Sequence, residues 1–284
     1  MLRAALLCLC LVQAAFAQPA RIVSTSPSIT EILFGLGAGP SVVGVSTYCR
    51  YPEQVRQLPK VGTYSKPNAE RIALLKPDLV ILHRQNGDLA NRMEALGIRT
   101  LTIEQGSLAQ LFATMRAIGD AVGRRTQAEA LVARIQGKIQ PAAARKNTAG
   151  PSVLLIVSKD REQLASLIAA GPRTYLGELL EAAGGRNALT SASAQNYPRI
   201  SLETVIHLNP DFIIDASGMG DEPNDTPEQR KRTIAPWLVR GELKAVRHHR
   251  VSAVLSEALV VPGPRVVEAL DLLRNVISGW REDR

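Results

Sequence analysis

With 284 residues, 45 % of them hydrophobic, the chain is long enough for two modest α/β lobes, each with its own core. The formal net charge of +8 is spread along the sequence and forms no aromatic-and-basic cluster, which sets nucleic-acid binding aside in favour of a solvated basic surface suited to an anionic ligand. Three cysteines, two of them at the N-terminus, exclude a disulfide framework.

Residues 1–17 read as an export signal. Arg3 supplies the positive start, Ala4–Ala14 the apolar run, and Ala15-Phe16-Ala17 a small-x-small cleavage site before Gln18. The run is too short to anchor the chain in a bilayer, and no small residue precedes Cys8 or Cys10 as lipid attachment would want. The expectation is a periplasmic chain, cleaved after Ala17 and not membrane-embedded, with Cys49 as its remaining thiol.

Arg21–Thr25 reads as a first strand. Ser26-Pro27 then opens a helix, with Ser28 and Glu31 at capping-box spacing, and the glycines Gly35, Gly37 and Gly39 end it. Val42–Val45 is a second strand, followed by a turn-rich stretch from Tyr48 to Pro67. Helix 69–76, strand 78–82, helix 88–96 and strand 99–103 continue a βα series, which implies a parallel sheet. From Leu108 to about Arg145 the periodicity is helical, softly interrupted at Gly123, with Pro141 expected to bend or end it.

A second α/β series follows: strands at Ser152–Val157 and Leu164–Ala170, a helix over 174–183, and a polar loop over 218–230. A helix over 236–245, a strand over 250–255 and a last helix from Pro264 to about Trp280 close the chain. The expected fold is α/β. Two lobes (18–106 and 150–284), each with a parallel sheet flanked by helices, are joined by a connector (107–149) containing one long backbone helix.

One pattern organises both lobes. Ala69–Leu82 and Leu202–Asp215 share a Glu, a helical turn, Pro-Asp and an apolar strand, 133 positions apart. Two copies at that distance mean two similar lobes, not a solenoid. Glu70 and Glu203 occupy the same point in each copy. They serve either as helix-dipole partners or as paired acidic knobs for the arginines of a two-fold partner.

Signs of catalysis are few. Gly35–Gly39 has the wrong spacing for a dinucleotide fingerprint, and no G-x-S-x-G elbow or phosphate loop is present. Cys49 has no histidine near it in sequence and reads as a bystander. His83, His207, His248 and His249 form no i, i+4 pair, so no dedicated metal site and no resident cofactor is expected. The tyrosines say more. Of five, Tyr48, Tyr51 and Tyr64 fall within seventeen residues in loops, and Tyr197 precedes Glu203 by six positions as Tyr64 precedes Glu70. Aromatic loops on two lobes make a cleft for a large, flat, partly apolar ligand.

Several segments, in this order and spacing, carry a resemblance: Arg21–Glu31, Tyr48-Cys49-Arg50-Tyr51-Pro52, Pro59–Gly62, Asn68–Ile72 with Lys76–Val80, and Tyr197-Pro198 before Ser201–Glu203. The chain resembles the helical-backbone (class III) periplasmic substrate-binding proteins for cobalamin, haem and ferric siderophores, with the cobalamin-binding members closest. The resemblance spans essentially the whole mature chain. It implies a non-enzymatic monomer that holds its ligand between two lobes and delivers it to an ABC transporter permease dimer. It also places Glu70 and Glu203 at the family's permease-docking positions, and Tyr48, Tyr64 and Tyr197 on the cleft wall. Tyr51, His83, Arg84 and Glu257 complete the expected ligand-contacting set.

The chain departs from the enterobacterial cobalamin-binding pattern, which has tryptophans at positions 64, 83 and 197 and aromatics in the 257–261 loop. A haem receptor would instead ligate iron through Tyr48, Tyr51 or Tyr64, with His83 as a second candidate. A ferric siderophore would want Arg50, Arg84 or Arg199, and an exported enzyme would show acid/base groups converging in the cleft.

Overall fold

The computed structural model describes residues 18–143, 150–160, 164, 166–189, 195–218, 225–278 and 280; the expected leader, 1–17, lies outside them. The first sheet contains β1 (Ile22–Ser24), β2 (Val42–Val45), β3 (Leu79–His83) and β4 (Arg99–Ile103) in the order β2-β1-β3-β4, with every pairing parallel. Helices α1 (Pro27–Gly35), α2 (Ala69–Leu74) and α3 (Gly87–Ala95) belong to the same lobe. Because all four strands run the same way, the residues after their C-terminal ends gather along one edge.

The capping box expected at Ser28 and Glu31 does not form. With Pro27 at the first helical position, the cap is Ser26, whose side chain accepts from the Ile29 N–H. Glu31 is left for a longer-range partner.

The connector is two helices, α4 (Leu108–Ala121) and α5 (Arg125–Ala143), so the interruption at Gly123 is a real break. Gly123 takes φ +66°, which ends α4 and lets the chain turn into α5. Pro141 does not end α5, which runs on to Ala143; its 19 residues make a rod about 28 Å long.

The second sheet contains β5 (Ser152–Lys159), β6 (Leu167–Ala169), β7 (Arg186–Asn187), β8 (Arg199–Ile200), β9 (Phe212–Asp215) and β10 (Val251–Ala253). Its order is β10-β9-β5-β6-β8, with β7 on β5. It is mixed, not wholly parallel as expected: β6 runs antiparallel to both β5 and β8. The connection from Lys159 to Leu167 is too short for a crossover helix, so β6 returns beside β5 in the opposite sense.

Helices α6 (Tyr175–Ala182), α7 (Leu202–Leu208), α8 (Pro227–Leu238), α9 (Lys244–Arg247), α10 (Glu257–Val260) and α11 (Val266–Ile277) complete the chain. Of the loop expected over 218–230, positions 219–224 lie outside the described residues and 227–230 are helical, and the helix expected over 236–245 is divided, because Thr226-Pro227 is a helix start. The Thr226 side chain accepts from the Gln229 N–H, α8 contains Pro236 and ends at Leu238, and a separate α9 follows.

The repeat is physical. Ile22 pairs with Leu79 in the first lobe, and Val153 with Phe212 in the second. Asp78 accepts from the Ala20 N–H at 2.9 Å, and Asp211 from the Ser152 N–H at 2.8 Å, so each Pro-Asp aspartate caps the start of the neighbouring strand. The residue before each proline, Lys76 or Asn209, takes a left-handed turn with φ of 46° or 40°. One buried cluster runs from Ile22 through Met115 and Ile135 to Val153, Leu176 and Leu270, so the connector packs into both lobes.

Asp211 supplies a pH test. Burial works to raise its carboxyl, but Lys244 and the Ser152 N–H hold it below the ordinary aspartate range. A depressed carboxylate stabilises the fold above its unfolded pKa, about 3.9, and the contribution disappears as pH falls through the folded value. Thermal melts of Asp211→Asn should therefore lie below wild type at pH 7, with the gap closing toward pH 3. A gap that stayed constant over that range would count against this role.

Candidate ligand-binding cleft

Three strand ends of the first lobe meet in one polar network. After β1, Ser26 caps α1; after β4 comes Gln105; and β3 ends on His83. His83 Nε2 lies 2.9 Å from Ser26 Oγ and 3.5 Å from Gln105 Nε2. Ser28 Oγ takes a bond from Gln105 Nε2 at 3.3 Å and lies 3.0 Å from Ser26 Oγ. His83 is only 3 % exposed, and burial pulls its pKa down to about 4, so the imidazole is neutral at pH 7.

Tyr64 covers this network, its ring edge-on to His83 with centroids 5.0 Å apart and planes at 72°. Its loop is held by Gly62 (φ +104°), where an added Cβ would stand 2.7 Å from the Lys66 carbonyl. Asn86 Nδ2 donates to the Tyr64 carbonyl at 3.2 Å. Burial raises the Tyr64 phenol, with a bond to Gln85 acting the other way.

The second lobe answers with Tyr197, in the loop before β8. Ala169 N–H donates to the Pro198 carbonyl at 3.1 Å and Gly171 N–H to the Asn196 carbonyl at 2.8 Å, which fixes that loop. Tyr197 is 39 % exposed, but its phenol end turns inward to Thr174. Burial pushes that phenol up to about 12, the Thr174 bond opposes this, and the nearby Tyr64 adds to it. The matched tyrosines therefore lie within electrostatic reach of each other.

The other end of the cleft is charged. Arg265, at the start of α11, holds Glu31 of α1 through two bonds, at 2.5 and 3.0 Å. Burial pushes the Glu31 carboxyl up, and Arg265 offsets this in part. The same guanidinium lies 4.2 Å from the Tyr51 ring centroid and 3.8 Å from Glu257, which pairs with Arg50 at 3.1 Å. Arg50, Tyr51, Glu53, Arg56, Glu257 and Arg265 surround a recess of about 470 Å³.

The expected contact residues thus separate into an aromatic group, with Tyr64 on a buried His83 and Tyr197 on the second lobe, and a charged group, with Tyr51 beside Arg265 and Glu257 paired to Arg50. Tyr48 is 38 % exposed in the loop after β2. Arg84 joins neither end; it is exposed and paired with Glu104. Sequence reasoning missed Arg265 and took Glu31 for a cap, and the 234 residues between them leave no local signal.

Cys49 is buried against Thr30 Oγ1 at 3.1 Å, and burial pushes its thiol up to about 11, which leaves it unreactive. Among the described residues no group of three His, Cys, Asp or Glu side chains could hold a metal ion, and no helix is long and apolar enough to cross a membrane. Glu70 and Glu203 are both exposed at the second position of their helices, behind the caps Asn68 and Ser201.

Comparison with known proteins agrees with this architecture. An uncharacterised ABC transporter substrate-binding lipoprotein of Bacillus subtilis is 30 % identical over 269 residues, 92 % of this chain and 80 % of its own. A cobalamin-binding protein of Halobacterium salinarum is 27 % identical over 266 residues, 91 % of this chain and 69 % of its own. The apo structure of a periplasmic heme-binding protein from Roseiflexus is 28 % identical and superposes with a TM-score of 0.73, over 91 % of this chain and 99 % of that one. The periplasmic binding protein family itself matches residues 22–256, a span that contains both sheets and both tyrosine loops, and the chain belongs to that family.

Proposed function

We propose that this protein is the substrate-binding component of an ABC importer and captures a large metal-containing cofactor, cobalamin first, in the cleft between its lobes. Residues 18–106 and 150–284 form the lobes, and 107–149 the connector. The chain is exported by residues 1–17, cleaved after Ala17, and works as a monomer that binds its ligand without turnover. What supports this above all is the pair Tyr64 and Tyr197, which stand at matched repeat positions in one loop of each lobe and are near enough for the Tyr64 phenol to raise that of Tyr197. Two aromatic faces grip a broad, partly apolar ring system and leave its polar substituents to the charged end.

Haem is the second reading. It is favoured by the arginines at the charged end, which suit an anionic ligand edge, and by the heme-binding relative from Roseiflexus. His83 is poorly placed as an iron ligand, because its Nε2 faces Ser26 from a buried position.

Titration with cyanocobalamin and with hemin, each followed by melting temperature and visible spectrum, separates the two. At free ligand near 100 Kd the stabilisation is about 2.7 kcal/mol, or about 5–10 °C for a protein of this size. Cyanocobalamin should give that rise. A response to hemin alone, with a Soret shift lost on a Tyr→Phe change, would transfer the protein to the haem reading. With the bound ligand identified, Tyr64→Ala and Tyr197→Ala should each weaken it by about tenfold, ~1.4 kcal/mol. The melting temperature of the ligand-free protein should stay nearly unchanged.

Delivery is proposed to run through Glu70 and Glu203, one exposed acid per lobe, meeting arginines on the two halves of the permease dimer. Charge reversal of both (E70K/E203K) should abolish transport and leave ligand affinity within twofold of wild type. Weakened ligand binding in that variant would count against a docking role.

A further inference from the structure

We infer that His83 is a positioning residue: it stands behind Tyr64, sets the orientation of that ring in the cleft, and does not itself touch the ligand. It has this role only if Tyr64 is a ligand contact, as proposed above.

The hydrogen bonds around His83 form one connected network. Ser26 Oγ already accepts from the Ile29 N–H as the cap of α1. Gln105 Nε2 is a donor, aimed at Ser28 Oγ and more distantly at His83 Nε2. Ser28 Oγ and Ser26 Oγ share a hydrogen bond at 3.0 Å, and Ser26 Oγ and His83 Nε2 another at 2.9 Å. Burial lowers the pKa of the ring to about 4, so it sits in this network uncharged at pH 7.

This bonding ties the ends of β1, β3 and β4 together through one ring. That ring is 3 % exposed, and its outer side is covered by Tyr64 at 5.0 Å. A ligand lying on Tyr64 meets the phenol and not the imidazole. His83 thus acts as a fixed stop under a mobile kind of residue, a loop tyrosine flanked by the exposed Ser65 and Lys66. Holding such a side chain ready spares the ordering cost that binding would otherwise carry, a difference of about threefold to tenfold in affinity.

Two substitutions test this: His83→Ala, and His83→Leu, which fills the volume without offering a nitrogen. Each should weaken whichever of hemin and cyanocobalamin the wild-type protein binds by about threefold to tenfold. Combined with Tyr64→Ala, neither should add to the loss caused by Tyr64→Ala alone, because both act through the same ring. Fully additive losses would mean that His83 contacts the ligand directly, and would overturn the inference.

A second readout needs no ligand. Tetranitromethane attacks the phenolate, which Tyr64 forms reluctantly while its ring is held inward. In His83→Leu, peptide mapping should find Tyr64 nitrated severalfold faster than in wild type, with Tyr48 and Tyr51 unchanged as internal controls. An unaltered Tyr64 rate would also overturn the inference. If the wild-type protein bound neither probe, the ligand reading would fall while the nitration rates still decided the role of His83.

Discussion

Glu31 and Arg265 make the contact on which the rest of the cleft depends. The carboxylate sits on α1 of the first lobe and the guanidinium at the start of α11 of the second, with side-chain exposures of 2 % and 14 %. A pair this buried adds little net stability by its presence, yet removing one partner typically costs 3–5 kcal/mol because the other charge is stranded. Gly263 belongs to the same contact, since a Cβ there would stand 3.1 Å from Glu31 Oε2. Arg265 then positions Tyr51 beneath it and leaves Glu257 to Arg50. One guanidinium so arranges the charged end of the cleft while pinning the lobes at that edge.

The second lobe has its own buried pair. Asp215 ends β9 where the first copy of the repeat has Leu82, and it pairs with Lys159 at the end of β5. Trp237 Nε1 donates to Asp215 Oδ2 at 2.7 Å, Ser217 N–H to Oδ1 at 3.0 Å, and Lys159 Nζ to the Thr233 carbonyl at 2.5 Å. Every group in the set finds a partner, so the charge is tolerated in the interior and fixes two strand ends against α8. At the matched position the first lobe thus carries a leucine, and the second a salt bridge held by a tryptophan.

Tyr64 and Tyr197 stand at matched positions on the two lobes, and Arg50, Arg265 and Glu257 gather charge around a separate recess between them. Because α4 and α5 pack into a core continuous with both lobes, relative motion of the lobes is expected to be small.

Periodic and local signals in the chain were enough for the two α/β lobes, the helical connector, and the repeat that matches Glu70 with Glu203 and Tyr64 with Tyr197. Strand and helix periods, prolines after helices and tyrosines in loops act over a few residues, and they survive without any knowledge of neighbours. Only the tertiary structure decided which groups meet across the chain. Glu31, at capping-box spacing in the sequence, is claimed by Arg265, and His83 turns out to be buried behind Tyr64. β6 reverses its direction to pair beside β5. Each of these outcomes is set by desolvation, by connection length, or by a partner far away in sequence. Such terms depend on what is packed nearby, and no pattern of residue types along the chain encodes them.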